Sequence, residues 1–140
     1  MLNSKINRIY YGFQVPNEKV DGLVNEINNN YVEDVTFLKV LELGYTNNPA
    51  AIKPLIDLTK HEDDYMRVAA ICALGMLNAV EQFDLLKQIY KETENDEKLM
   101  ALKSIGDLDT EEAEKFITSV RYSPDYGHHR IKEVVDLYIR

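Results

Sequence analysis

The sequence has few of the residues that build a disulfide framework or a membrane anchor. Its 140 residues include one cysteine, Cys72, and no tryptophan. A single cysteine cannot form an internal disulfide, and this usage is typical of a reducing compartment. The N-terminal residues lack the apolar core of a signal peptide, and no apolar run approaches the roughly 18 residues of a membrane-spanning helix. We therefore expect a cytoplasmic protein that binds no membrane.

Basic residues are also in the minority. There are 16 Lys and Arg against 24 Asp and Glu, which gives a formal net charge of -8. Because binding to phosphates requires clustered Lys and Arg, we expect no nucleic-acid partner. A chain of this length can bury roughly 68–70% of its unfolded surface without help from a metal or a second subunit. The length predicts one domain over residues 1–140.

A period of 31 residues runs through the chain. Gly44, Gly75 and Gly106 follow one another at this spacing, each after an aliphatic residue. The apolar positions keep the same register, and terminal repeats are commonly less regular. The period divides the chain into a leading half-repeat, 1–16, and four blocks: 17–47, 48–78, 79–109 and 110–140.

Within each block the apolar residues follow a helical spacing. Phe83, Leu86 and Ile89 step by three, which places them on one face of a helix. Polar turns at 61–64 and 92–96 contain residues that cap helix N-termini. Each block is therefore predicted to form two helices of about ten to fourteen residues, and the chain an all-α fold.

The second block resembles a known repeat. Asn48–Ile56, Asp63–Arg67 and Ala69–Gly75 are similar to a HEAT repeat of the short type named after the phycobilisome lyases. The resemblance extends over about residues 17–140 and implies a right-handed α-solenoid of about four and a half HEAT-like helical hairpins. It also implies that the glycine after Leu74 ends its helix in a conformation that most residues avoid.

The resemblance further implies a concave surface lined by the second helix of each repeat. The residues expected to face outward there are Phe37, Leu38, Leu41 and Tyr45, then Val68, Ala69, Cys72 and Met76, then Leu99, Met100, Lys103 and Asp107. An exposed apolar row of this size marks a partner site. Phe37, Leu38 and Leu41 have a second interpretation as ordinary core residues.

Two further features suit a protein partner. Nine acidic residues against two basic ones lie between Glu92 and Glu114, and such a surface attracts basic proteins. The segment Arg121–Arg130 is predicted to be a loop, whose tyrosines are good contact residues unless it only caps the last repeat. The candidate partner-binding residues are Leu41, Tyr45, Cys72, Met76, Met100, Lys103, Asp107, Glu111, Tyr122 and Tyr126.

Signals for catalysis are weak. The pair His61-Glu62 is similar to the iron-binding pairs of deoxyhypusine hydroxylases, but that family needs several pairs and this chain has one. In a helix the adjacent His128 and His129 would diverge by about 100° and would not chelate one metal. Phosphate-binding, nucleophile-elbow and zinc motifs do not occur. We expect that the protein is not an enzyme and that it binds no cofactor, no metal and no small-molecule substrate.

The leading hypothesis is a non-enzymatic module that captures a basic protein on an acidic and apolar concave face. Its most concrete form is an inhibitor, such as an immunity protein that neutralises a toxin. The alternatives are a general adaptor or scaffold in a larger assembly, and a bilin-lyase-like subunit. Fold alone does not choose among them.

Overall fold

The chain folds into helices throughout the residues that the structure describes. A computed structural model covers residues 13–29 and 33–139, without the side chains of 33–35, so most of the predicted half-repeat at 1–16 lies outside it. The helices are α1 (Asn17–Asn29), α2 (Glu33–Gly44), α3 (Ile52–Leu58), α4 (Asp64–Met76), α5 (Phe83–Glu92), α6 (Asn95–Leu108), α7 (Glu111–Arg121) and α8 (His129–Tyr138), with 3-10 turns at Pro49–Ala51, Val80–Gln82 and Pro124–Gly127.

Two successive helices fall in each of the four predicted blocks, and the described residues contain no strand. The predicted fold class, an α-solenoid of HEAT-like hairpins, is confirmed. The described residues form two compact units, an N-terminal unit that ends at Ala79 and a C-terminal unit that begins at Val80. The expectation of a single domain stays a prediction.

The N-terminal unit is built from α1 to α4. In α1 the buried residues Val20, Leu23 and Ile27 share one face, as their spacing requires. Helix α2 packs against α1 and α4, and α3 packs against α4. Helices α2 and α4 approach closely at Gly44, where a Cβ atom would lie 2.9 Å from the Cα of Ala73. The small residues therefore allow α2 and α4 to pack with their backbones close together.

The C-terminal unit is built from α5 to α8. Helix α6 packs against α5, α7 and α8 and supplies the buried Ala101, Leu102 and Ile105. Gly106 lies beneath the ring of Tyr138, where a Cβ atom would come within 2.6 Å of the ring carbons. Glycine is required here because the aromatic ring occupies the space that a side chain would fill.

The expectation that Gly75 ends its helix in an unusual conformation is wrong. Gly75 lies within α4 and Gly106 within α6. Besides Asn95 at the start of α6, the described non-glycine residues in the left-handed conformation are Asn47, Asn78 and Asp109, with φ of 50°, 54° and 56°. These positions also follow one another at 31 residues, and Asn and Asp adopt this conformation more readily than other non-glycine residues. Gly44 and Gly106 allow close packing, and the left-handed Asn and Asp residues end the repeats.

Candidate protein-binding surface

One side of the N-terminal unit carries apolar side chains that its own core does not cover. We call this surface the apolar face and define it by residues on and next to α2 and on α4: Phe37, Leu38, Leu41, Tyr45, Tyr65, Val68, Cys72 and Met76. Leu38 is 55% exposed and Tyr65 is 64% exposed, and the other six are half-buried. None of the eight is charged. Leu38 therefore lies at the surface, whereas Phe37 and Leu41 are half-buried and their role in binding stays a prediction.

The two sulfur-containing residues of the apolar face lie close together. The Sγ atom of Cys72 is 3.9 Å from the Sδ atom of Met76. A Cβ atom placed on Gly44 would lie 3.0 Å from the same Sδ atom, so Met76 sits where α4 meets α2.

Ala69 was expected to face outward, and this is wrong, because it is only 4% exposed. Its small side chain is part of the packed core.

The turn before α4 places acidic residues at one end of the apolar face. Asp63 caps α4 by accepting a hydrogen bond from the backbone N–H of Tyr65 at 2.9 Å. Arg67 donates from Nη1 to the backbone carbonyls of His61 and Glu62. Glu62 and Asp64 are exposed, and neither has an ion-pair partner among the described residues.

The candidate residues of α6 lie in the C-terminal unit. Met100 and Lys103 are half-buried. Asp107 was expected to face outward, and this is wrong, because only 2% of it is exposed. Its carboxylate accepts a hydrogen bond from the Tyr138 hydroxyl at 2.7 Å and lies 3.3 Å from the Lys103 ammonium. These bonds satisfy the buried carboxylate, so Asp107 contributes to the packing of α6 against α8.

The acidic surface near α7 remains exposed. The side chain of Glu111 is 83% exposed and pairs with Lys115 at 3.3 Å. A pair this open to water adds little to stability, so Glu111 remains available to a partner.

The two tyrosines of the loop after α7 differ. Tyr122 is 84% exposed. Tyr126 is half-buried, donates to the Asp136 carboxylate at 2.7 Å and has the Lys132 ammonium 5.2 Å from its ring centroid. The Lys132 ammonium, and then the Tyr126 hydroxyl, lower the pKa of Asp136 by hydrogen bonding. Tyr122 is therefore free to contact a partner, whereas Tyr126 holds the loop in place.

A network around Tyr90 holds the same loop from the other side. The Tyr90 hydroxyl donates to the Asp125 carboxylate at 2.6 Å. The Lys98 ammonium donates to the Tyr90 backbone carbonyl at 2.9 Å and lies 4.0 Å from its ring centroid. Burial, followed by the hydrogen bond to Asp125 and its charge, raises the pKa of Tyr90 well above its usual value. Sequence reasoning missed this network because no local pattern links residues 35 positions apart.

The region around the histidines of this loop forms a cleft of about 450 Å³, lined by Lys98, Asp125, His128, His129 and Arg130 among others. The His128 and His129 rings stack with centroids 5.2 Å apart. The divergence expected of two adjacent helical residues does not apply, because His128 precedes α8 with an extended backbone. Within 13–29 and 33–139, no group of three or more His, Cys, Asp or Glu is placed to hold a metal. No helix in this described part is long and apolar enough to cross a membrane.

Comparison with known proteins identifies the repeat. The family model described as HEAT repeats matches residues 20–106 of this chain. The matched region contains α2 and α4, which carry the apolar face. No curated protein matched the chain. HEAT repeats commonly mediate protein–protein interaction. Because the match covers more than half of its length, the chain belongs to the HEAT-repeat proteins.

Proposed function

We propose that this protein is a non-enzymatic binding module that captures a basic protein partner, and that it acts as an inhibitor, such as an immunity protein that neutralises a toxin. The observation that carries the proposal is the uncharged apolar face of α2 and α4, with Leu38 and Tyr65 more than half exposed. Contiguous exposed apolar side chains mark interaction sites, and aromatic and Met residues are enriched in interfaces.

Charge supports a basic partner. The net charge of -8 gives the molecule a negative field, which attracts a positively charged protein and speeds association. Exposed acidic residues are present in both compact units, for example Asp64 in the first and Glu111 in the second. A general adaptor would depend on apolar contacts more than on charge, so the two functions differ in their response to salt.

The experiment is an affinity capture from the lysate of the native organism at low and at high salt, with bound proteins identified by mass spectrometry. The bait is compared with two variants, Leu38→Glu on the apolar face and Val80→Glu as a control at an exposed apolar position outside that face. One basic protein that is captured at low salt, is lost at high salt and fails to bind Leu38→Glu is the expected result. The purified partner should then lose its activity when mixed with this protein in equal amounts.

Two outcomes would contradict the proposal. Capture of many proteins, or of one that is retained at high salt, would indicate an adaptor. Capture that is equal for Leu38→Glu, Val80→Glu and the unchanged chain would show that the apolar face does not bind the partner.

A further inference from the structure

The apolar face restricts the backbone conformation of whatever binds it. Its two elements are α-helices, so their backbone N–H and C=O groups are bonded within each helix and the face presents side chains alone. An extended peptide laid across it would leave its own backbone polar groups over apolar side chains, which is costly. A helix satisfies its own backbone groups. We infer that the apolar face takes one amphipathic α-helix of the partner, an inference that rests on the proposed function.

The spacing of the exposed side chains sets the length of that helix. Along α4 the residues Tyr65, Val68, Cys72 and Met76 step by three and four residues, so they form one stripe. At a rise of 1.5 Å per residue the stripe is about 17 Å long. A helix of three turns with apolar residues at i, i+3 or i+4, and i+7 matches it. Leu38, Leu41 and Tyr45 provide a parallel row at α2.

Charge at the two ends of the face sets the direction of the bound helix. The turn before α4 contains two exposed acids, Glu62 and Asp64, and one exposed base, Lys60. Helix α2 begins, by sequence, with Glu33 and Asp34. The other ends, at 45–48 and 76–79, contain no charged residue. The partner helix therefore carries Lys or Arg at the end that meets Glu62 and Asp64, and an uncharged opposite end.

The test is a selection from a displayed library of peptides of about four helical turns, which includes members with internal proline. The full chain is the target, and the double variant Leu38→Glu/Tyr65→Glu removes peptides that bind elsewhere. The expected peptides have Leu, Met or aromatic residues at helical spacing, Lys or Arg at one end and no internal proline. Circular dichroism confirms that each variant keeps its helices.

A charge reversal tests the direction. In Glu62→Lys/Asp64→Lys a selected peptide should bind about tenfold more weakly, and a peptide with Glu in place of its Lys or Arg should recover the affinity. Glu81→Lys/Asp84→Lys is the matched control, because it changes the net charge equally at exposed positions of the C-terminal unit. The control should leave the affinity within about twofold.

Several results would overturn the inference: proline-containing or uniformly uncharged peptides, equal weakening by both charge reversals, or no peptide that distinguishes Leu38→Glu/Tyr65→Glu. Dimerisation of the chain that Leu38→Glu abolishes would assign the face to a second copy. If a native partner is captured through Leu38 but the library yields no helix, the inference alone fails. If capture is also independent of Leu38, the proposed function fails with it.

Discussion

Two glycines of this chain differ in the space that is available for a Cβ atom. At Gly106 a Cβ atom would lie 2.6 Å from the Tyr138 ring, whereas at Gly22 it would have no neighbour within 4 Å. We expect Gly106→Ala to lower the free energy of unfolding by about 1–3 kcal/mol, because the ring must move. Gly22→Ala, within helix α1, should raise it by about 0.5–1 kcal/mol. Chemical denaturation measures both, and equal effects would contradict the packing role.

The left-handed residues between repeats offer a second residue-scale prediction. Asn47 is exposed and has a φ of 50°. Asn47→Ala should lower the free energy of unfolding by about 1 kcal/mol, because a residue with a Cβ atom but no polar side chain to form local hydrogen bonds is strained in this conformation. Asn47→Gly should lower it by less, since glycine adopts this conformation without strain. If urea denaturation gave Asn47→Gly a lower free energy of unfolding than Asn47→Ala, the conformational explanation would be wrong.

At the scale of elements, Asn48 joins the starts of two successive hairpins. It is 2% exposed, donates from Nδ2 to the Val15 carbonyl and to Asn17 Oδ1, and accepts from the Ala50 N–H. Asn48→Ala should lower the free energy of unfolding by about 2–3 kcal/mol, because buried polar groups lose their partners. Asn17→Ala, which removes one of these bonds, should cost about 1 kcal/mol. Similar costs for the two variants would show that Asn48 does not act as a joint.

The attachment of the last loop to α5 gives a prediction on pH. The raised pKa of Tyr90 means that the folded state holds the neutral phenol. Above the ordinary pKa of 10.0 the unfolded chain ionises and the folded chain does not, so stability falls as pH rises. Relative to Tyr90→Phe, the unchanged protein should lose about 1.4 kcal/mol for each pH unit above 10. Thermal denaturation from neutral to alkaline pH checks this, and parallel curves would contradict it.

Features that depend on contacts between distant helices could not be predicted from the sequence, whereas the helices themselves could. Helical spacing alone is enough to predict two helices in each block, because it reports which face is buried. The burial of Asp107 follows from a bond to Tyr138, which lies 31 residues away, and the attachment of Tyr126 from a bond to Asp136. Aspartate is mostly exposed in proteins and tyrosine is intermediate, so residue type alone did not predict that Asp107 is buried or that Tyr126 is held in place. The role of Gly44 depends on how near Ala73 comes, which no local pattern encodes.

At the scale of the whole molecule, we expect the net charge to oppose self-association through the apolar face. At neutral pH a charge of -8 makes the molecules repel one another, and at pH 4.9 this repulsion is lost. We expect a solubility minimum near pH 4.9 that Leu38→Asn/Tyr65→Asn relieves without a change of charge. Val80→Asn/Tyr122→Asn, at positions 44% and 84% exposed, should relieve it less, because these residues do not belong to the apolar face. Light scattering against pH measures the effect. Equal relief by both pairs would mean that scattered apolar residues, rather than one contiguous face, drive the association.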